Sequence, residues 1–134
     1  MARQYYTELS PPQPKRTKFI ARDRSYHGNT LGSLSVSGHK ARRAIYEPLL
    51  SPNMSHVSPC YPYRGLKEGE SNEQYVARLA QELEDQFQRV GPETVCGFVA
   101  ETVAGLVSPR LHPFHPLHLY QNRLSAVSPQ HPDT

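Results

Sequence analysis

Residues 17–38 read TKFIARDRSYHGNTLGSLSVSG, and the order of residue types in this stretch decides the expected fold. The first five residues form a short run rich in strand formers with charge on both sides, typical of a strand in a parallel sheet. Asn29 and Gly38 then bracket a segment with apolar residues between serines, which predicts a helix opened by Asn29 and closed by Gly38. Small residues such as Gly32 permit close backbone approach.

Tyr26, His27 and Gly28 form the turn between that strand and that helix. Open α/β sheets bind ligands beyond the carboxyl ends of their strands, which is where this turn lies. Tyr26 has a ring able to stack on another flat ring, Gly28 permits a sharp turn, and a helix start offers N–H groups to an anion. The same residues suit a purely structural turn, and spacing alone favours that interpretation.

Two further segments, one before and one after residues 17–38, give weaker signals of secondary structure. Residues 2–9 have apolar side chains three or four positions apart, which predicts the end of a helix. The prolines of residues 10–16 terminate it, because proline lacks the backbone donor that a helix interior requires. Residues 55–59 are a second, weaker strand candidate.

The clearest element is a helix over residues 71–90. Ser71 and Gln74 form a capping box, and apolar residues repeat every four positions until Gly91. Residues 93–101 then predict a third strand. Helices and strands that alternate in this way indicate an α/β fold built on a parallel sheet.

Composition excludes several classes of function. The chain has 134 residues, 37% of them hydrophobic, with 13 prolines and a net charge of +3, which is too small and too dispersed to indicate nucleic-acid binding. The densest basic stretch, HKARRAIY at 39–46, suits either a phosphate or lipid contact or a solvated helix face, and the interspersed apolar residues favour the solvated face.

The cysteines and the hydropathy pattern indicate a cytoplasmic protein. Cys60 and Cys96 lack the paired spacing of a zinc site, and the sequence shows no signal-peptide pattern, so reduced thiols are expected. No run of 18 apolar residues is present, so we expect no membrane partner.

Residues 106–134 hold five of the 13 prolines and four of the seven histidines. Proline at this density opposes both helix and central strand, so we expect a disordered tail. His112, His115 and His118 suggest a metal site, but residues three apart in a polyproline helix are about 9 Å apart along the axis. No metal is therefore predicted.

Four segments of the sequence resemble class III aminotransferases in order and spacing. They are ARQYY (2–6), KFIARDRSYHGNTLGSLSVSGH (18–39), YRGLKEGES (63–71) and FVAETV (98–103). The resemblance covers residues 2–105 and looks closest to the omega-amino acid and acetylornithine branches. This family consists of fold type I enzymes that use pyridoxal 5'-phosphate.

The resemblance implies roles for four residues. In the family, the aromatic residue of the first motif stacks on the pyridine ring, so Tyr26 takes that place and His27 and Gly28 shape the turn beneath it. Glu101 matches the carboxylate that lies near the cofactor's phenolic oxygen and the catalytic water network. Many members have proline after this glutamate, whereas Thr102 stands here.

The resemblance also implies the domain organisation and the reaction. Residues 1–105 would form part of the mostly parallel-sheet large domain that binds the cofactor, and residues 106–134 would lie outside it. The family moves an amino group from an amino donor to a 2-oxo acid and works as homodimers.

Three parts of the family's active site lie outside the resemblance. The phosphate-binding Gly-Ser-Glu-Ala stretch precedes the helix that ends in ARQYY, and Met1 falls inside that helix. The aspartate that pairs with the pyridine nitrogen and the Schiff-base lysine follow the segment that ends at Gly105. The lysines of this chain lie elsewhere, at Lys15, Lys18, Lys40 and Lys67. We therefore expect a truncated aminotransferase that is inactive alone; the alternative is a non-catalytic fragment or interaction protein.

Overall fold

The structure is a computed structural model that describes residues 1–101. Three strands, β1 (Lys18–Arg22), β2 (Met54–Val57) and β3 (Val95–Val99), form one sheet in the order β2-β1-β3. Both pairings are parallel, so the carboxyl ends of all three strands meet at one edge. The predicted α/β fold with a parallel sheet is confirmed.

Five α-helices connect and cover the strands. They are α1 (Ala2–Glu8), α2 (Leu31–Val36), α3 (Lys40–Arg43), α4 (Pro62–Gly65) and α5 (Asn72–Val90). Short 3-10 helices occupy Glu47–Leu49 and Pro92–Thr94. The second of these shortens the strand predicted over 93–101, because its turn continues up to Val95.

The sheet is covered on both faces. Ile20 and Val57 pack with Leu83 and Phe87 of α5 on one face, and Ile20 has no exposed surface. On the other face α2 lies against the sheet, and His56 Nε2 donates to the carbonyl oxygen of Val36 at 2.9 Å. Because neighbouring strand residues point to opposite faces, β2 is packed on both sides.

Helix α5 follows the predicted pattern throughout. Ser71 Oγ accepts the Gln74 N–H at 3.2 Å, and Gln74 Oε1 accepts the Ser71 N–H at 2.9 Å, which completes the capping box. The apolar residues that repeat every four positions are all buried: Tyr75, Leu79, Leu83 and Phe87. Gly91 ends the helix with a φ of +88°. Local signals and packing agree here, which is why this prediction was accurate.

Helix α2 starts one residue later than the sequence indicates. Thr30, and not Asn29, is the N-cap, because its Oγ1 accepts the Ser33 N–H at 3.3 Å. Both residue types make good caps, so composition did not distinguish them.

The close backbone approach expected at Gly32 occurs at Gly38 instead. A Cβ at Gly32 would meet nothing within 4 Å, whereas one at Gly38 would lie 2.2 Å from the Arg22 carbonyl oxygen. The Gly38 carbonyl accepts the Arg24 N–H at 3.0 Å, and the Gly38 N–H donates to the Ser25 carbonyl at 3.1 Å. These bonds hold the end of α2 against the end of β1.

Three further sequence predictions have direct outcomes. The helix predicted over 2–9 is α1, and no side chain caps its start. Cys60 and Cys96 are both free thiols. A helix able to cross a membrane is not found among residues 1–101. The tail predicted over 106–134, with its histidines, lies outside the described residues.

Alanine substitutions at Gly38 and at Gly32 should have opposite effects on the free energy of unfolding. Gly38→Ala should reduce the free energy of unfolding by about 3 kcal/mol, because the new methyl group overlaps the β1 backbone. Gly32→Ala is the matched control and should raise it by about 0.5–1 kcal/mol, since alanine favours an open helical position. Urea unfolding followed by circular dichroism measures both, and equal effects would contradict the predicted close approach.

Candidate functional site

The candidate site lies at the carboxyl edge of the sheet. The loop after β1 carries Tyr26, His27 and Gly28, and Glu101 follows β3. Glu101 and Cys60, which follows β2, line a cleft of about 40 Å³. This volume holds only on the order of three water molecules, so a flat ligand ring would have to lie outside it.

A hydrogen bond joins two of the predicted site residues. The Tyr26 N–H donates to Glu101 Oε1 at 2.6 Å. A carboxylate acceptor makes this a strong bond, and it connects the loop after β1 to the loop after β3. Oε2 of Glu101 makes no hydrogen bond with residues 1–101, and Glu101 is half-buried.

Ser37 holds the backbone of His27. Its Oγ accepts the His27 N–H at 2.8 Å and donates to the Ser33 carbonyl oxygen at 2.9 Å. Ser37 has no exposed surface, so water does not compete for either bond. The Ser37 hydroxyl therefore attaches the end of α2 to the turn that carries His27.

Gly28 adopts a conformation that other residues avoid. Its φ is +118°, and a Cβ there would lie 2.8 Å from Ser33 Oγ. The sharp turn expected at this position is present. It brings the Tyr26 backbone and the start of α2 together.

The Tyr26 ring has a cation on one face. The Arg42 guanidinium carbon lies 5.0 Å from the ring centroid, and Tyr26 itself is half-buried. The solvated-face interpretation of residues 39–46 holds for Lys40, whose side chain is 86% exposed. It fails for Arg43, whose side chain is 14% exposed and donates to backbone carbonyls of the α2 segment.

His27 is a half-buried base in this site. Burial is the largest influence and lowers the pKa of His27 below 6.5; the Glu101 carboxylate raises it, while His56 and Arg22 lower it further. His27 Nε2 is buried and has no hydrogen-bond partner within residues 1–101. His27 is therefore neutral at pH 7, with one ring nitrogen available to a further polar group.

Three residues of the site escaped the sequence analysis. Arg22 is 8% exposed and ends β1, and Cys60 lies three residues beyond β2, so their positions at strand ends are the signal that was available. Burial raises the pKa of the Cys60 thiol, which Arg22 opposes. Arg42 had no comparable signal, because its contact with Tyr26 depends on how α3 packs.

The described residues of the site offer a flat aromatic surface and one unpartnered polar atom. Within residues 1–101 there is no group of three His, Cys, Asp or Glu side chains able to hold a metal ion. The half-buried Tyr26 ring offers a flat surface, and the buried Nε2 of His27 offers one polar atom, which together fit a ring that carries polar substituents.

Comparisons with known proteins agree on one family. Residues 1–108 match the family model described as aminotransferase class-III. An aminotransferase from Gibberella zeae is 58% identical over 106 residues, which is 78% of this chain and 21% of that protein. The mitochondrial gamma-aminobutyrate transaminase 1 of Oryza sativa subsp. indica is 41% identical over 101 residues, 75% of this chain and 19% of that protein.

A solved structure agrees with the fold. A PLP-bound mutant aminotransferase from Vibrio fluvialis superimposes with a TM-score of 0.81 at 30% identity, covering 94% of this chain and 27% of that one. The chain spans about a fifth of the length of the curated relatives it matches.

The hydrogen bonds of the Tyr26 N–H with Glu101 and of the His27 N–H with Ser37 should slow amide exchange independently of each other. Glu101→Ala should accelerate exchange of the Tyr26 amide hydrogen and leave that of His27 slow. Ser37→Ala should do the reverse. Glu101→Gln is the control, because its amide oxygen still accepts the bond. Hydrogen exchange followed by NMR measures each amide, and loss of both protections in either alanine variant would show that the bonds are not independent.

The titration of His27 should depend on Glu101. The lowered pKa means that the unfolded chain binds this proton at higher pH than the folded chain. Stability should therefore fall as pH drops from 6.5 through the folded pKa. Glu101→Gln should lower the pKa of His27 further, whereas the control Glu73→Gln should not change it. Imidazole NMR resonances report the pKa, and a raised value in Glu101→Gln would contradict the assigned charge effect.

Proposed function

This chain belongs to the class III aminotransferase family, and from that membership we propose that residues 1–101 form part of a pyridoxal 5'-phosphate site for amino-group transfer. The observation that carries the proposal is the hydrogen bond from the Tyr26 N–H to Glu101 Oε1. It brings together the aromatic residue and the carboxylate that the family resemblance selects. The two are 75 positions apart in the chain, so only the parallel sheet places them side by side.

Tyr26 is proposed to provide the stacking surface. Its ring is half-buried, and Arg42 covers one face, which leaves the opposite face for the pyridine ring. Gly28 assists by turning the backbone sharply just after the ring, without a side chain at the turn. Stacking between aromatic rings contributes about 1 kcal/mol.

Glu101 is proposed to combine positioning with proton handling. One carboxylate oxygen accepts the Tyr26 N–H, and the second makes no hydrogen bond with residues 1–101. That second oxygen is suited to orient a water or a hydroxyl group of the cofactor. The cofactor, when bound, supplies an electron sink for the substrate's carbanion.

His27 is proposed to act as a neutral hydrogen-bonding group. Its lowered pKa keeps a positive charge out of the site at pH 7, and Nε2 is buried without a partner in residues 1–101. A neutral imidazole either accepts or donates at this atom, depending on its tautomer. This suits a polar substituent of the cofactor better than a phosphate, which a cation would bind more tightly.

The substrates, assembly and compartment are proposed by family. We expect an amino donor, a 2-oxo acid acceptor and a homodimer. The cytoplasm is proposed as the compartment, since Cys60 and Cys96 are free thiols. The rice relative is named as mitochondrial, so imaging of a fluorescent fusion is the measurement that decides the compartment.

A chimera tests the proposed stacking role. The matching 106-residue segment of the Gibberella zeae aminotransferase is replaced by that of this chain. Tyr26→Ala should weaken cofactor binding about fivefold, because about 1 kcal/mol of stacking is lost. Tyr63→Ala is the matched control, since Tyr63 is 84% exposed on α4. Titration of cofactor absorbance measures affinity, and equal affinities in both variants would rule out the stacking role.

The alternative is a non-catalytic role, because the stacking contact assigned to Tyr26 is by itself too weak to hold a cofactor. Micromolar affinity corresponds to about 8 kcal/mol, whereas Tyr26 stacking supplies about 1. We therefore expect the 134-residue chain alone to show no transamination with added cofactor. Alanine formed from pyruvate and an amino donor in that assay would overturn this expectation and direct attention to the chain's own lysines.

A further inference from the structure

Two consecutive arginines of α3 contact different parts of the candidate site. Arg43 donates from Nη1 to the carbonyl oxygens of Leu34, Ser35 and Ser37, at 3.2, 2.7 and 2.8 Å. The last carbonyls of a helix have no partner inside the helix, so a cation at this end satisfies several of them at once. Arg43 therefore attaches α3 to the carboxyl end of α2.

Arg42 is held in a different way. Its guanidinium lies 5.0 Å from the Tyr26 ring centroid, a distance typical of a cation–π contact. The residue is exposed, and none of its side-chain atoms makes a hydrogen bond or ion pair with residues 1–101. Successive residues of a helix point about 100° apart. The same position of α3 therefore allows Arg43 to bind the α2 carbonyls and Arg42 to contact the Tyr26 ring.

The ring of Tyr26 needs such a contact. The bond from its N–H to Glu101 fixes the backbone, but it leaves rotation about the side-chain torsions free. A half-buried ring with no fixed plane makes a poor surface for another flat ring. Arg42 lies over one face and opposes that rotation.

We propose that Arg42 is a positioning residue that covers one face of the Tyr26 ring and fixes its plane, so that a flat ligand ring stacks on the opposite face. Arg43 supports it by anchoring α3 to α2. The role toward the ligand rests on the proposed function, whereas the contact between Arg42 and Tyr26 does not. Arg42 touches neither substrate nor cofactor in this assignment.

NMR of the full 134-residue chain tests the contact without any cofactor. Protons beside a ring face are shifted upfield, so the Arg42 side-chain protons should be shifted and should return to ordinary values in Tyr26→Leu. Arg43→Met should remove the same shift with Arg42 intact, while the amides of Tyr75 and Leu83 report that α5 remains folded. Arg42 protons at ordinary values in the unsubstituted chain would overturn the proposal.

The second arm measures cofactor affinity in the Gibberella zeae chimera. Arg42→Met keeps the aliphatic stem and removes the charge, and it should weaken binding about two- to fivefold. Arg42→Lys should recover part of the loss. Arg64→Met, at an exposed arginine of α4, is the control and should change nothing.

The two arms separate the positioning role from the proposed function. An upfield shift together with weaker binding in Arg42→Met supports the proposal. If Tyr26→Ala leaves affinity unchanged in the chimera, the proposed function fails, whatever the NMR shows. If Tyr26→Ala weakens binding but Arg42→Met behaves like Arg64→Met, the site stands and the role assigned to Arg42 is wrong.

Discussion

The 2.6 Å hydrogen bond between the Tyr26 N–H and Glu101 depends on one constraint: β1 and β3 are parallel neighbours. Parallel strands bring their carboxyl ends to one edge, so the loops that follow them meet although they are distant in sequence. The parallel pairing of β1 with β2 likewise brings Cys60, which follows β2, to the cleft that Glu101 lines. An antiparallel pairing of the same segments would separate these residues by the length of a strand.

Features of the fold that depend on neighbouring residues could be predicted from the sequence, whereas features that depend on packing between distant segments could not. Helix α5 was predicted accurately because its cap, its periodicity and its terminal glycine are all local signals. The strand positions followed from short apolar runs, but β3 begins two residues later than predicted, because a 3-10 turn precedes it. The function of Gly38 was missed, because a close approach to the Arg22 carbonyl is set by packing between α2 and β1.

The candidate site divides in the same way. Tyr26, His27 and Gly28 are adjacent in sequence, and a strand followed by a turn made them candidates, although spacing alone favoured a purely structural turn and their roles came from the family resemblance. Glu101 required the family resemblance, since a carboxylate after an apolar run has no distinctive local pattern. The second arginine of the pair in HKARRAIY was misassigned to solvent, because a basic run looks the same whether its charges face water or backbone carbonyls.

The contacts around Tyr26 differ in their environment, and this assigns them different functions. The hydrogen bond from the His27 N–H is accepted by Ser37, a residue with no exposed surface, and it fixes the backbone of the turn. The Arg42 contact with the ring is exposed, and exposed cation–π contacts contribute only about 0.5–1 kcal/mol. The backbone bonds fix the position of the turn that carries the ring, and the weaker contact with Arg42 sets the plane in which the ring lies. Serines and glycines form the contacts of the backbone turn, and a single exposed arginine, Arg42, forms the contact with the ring.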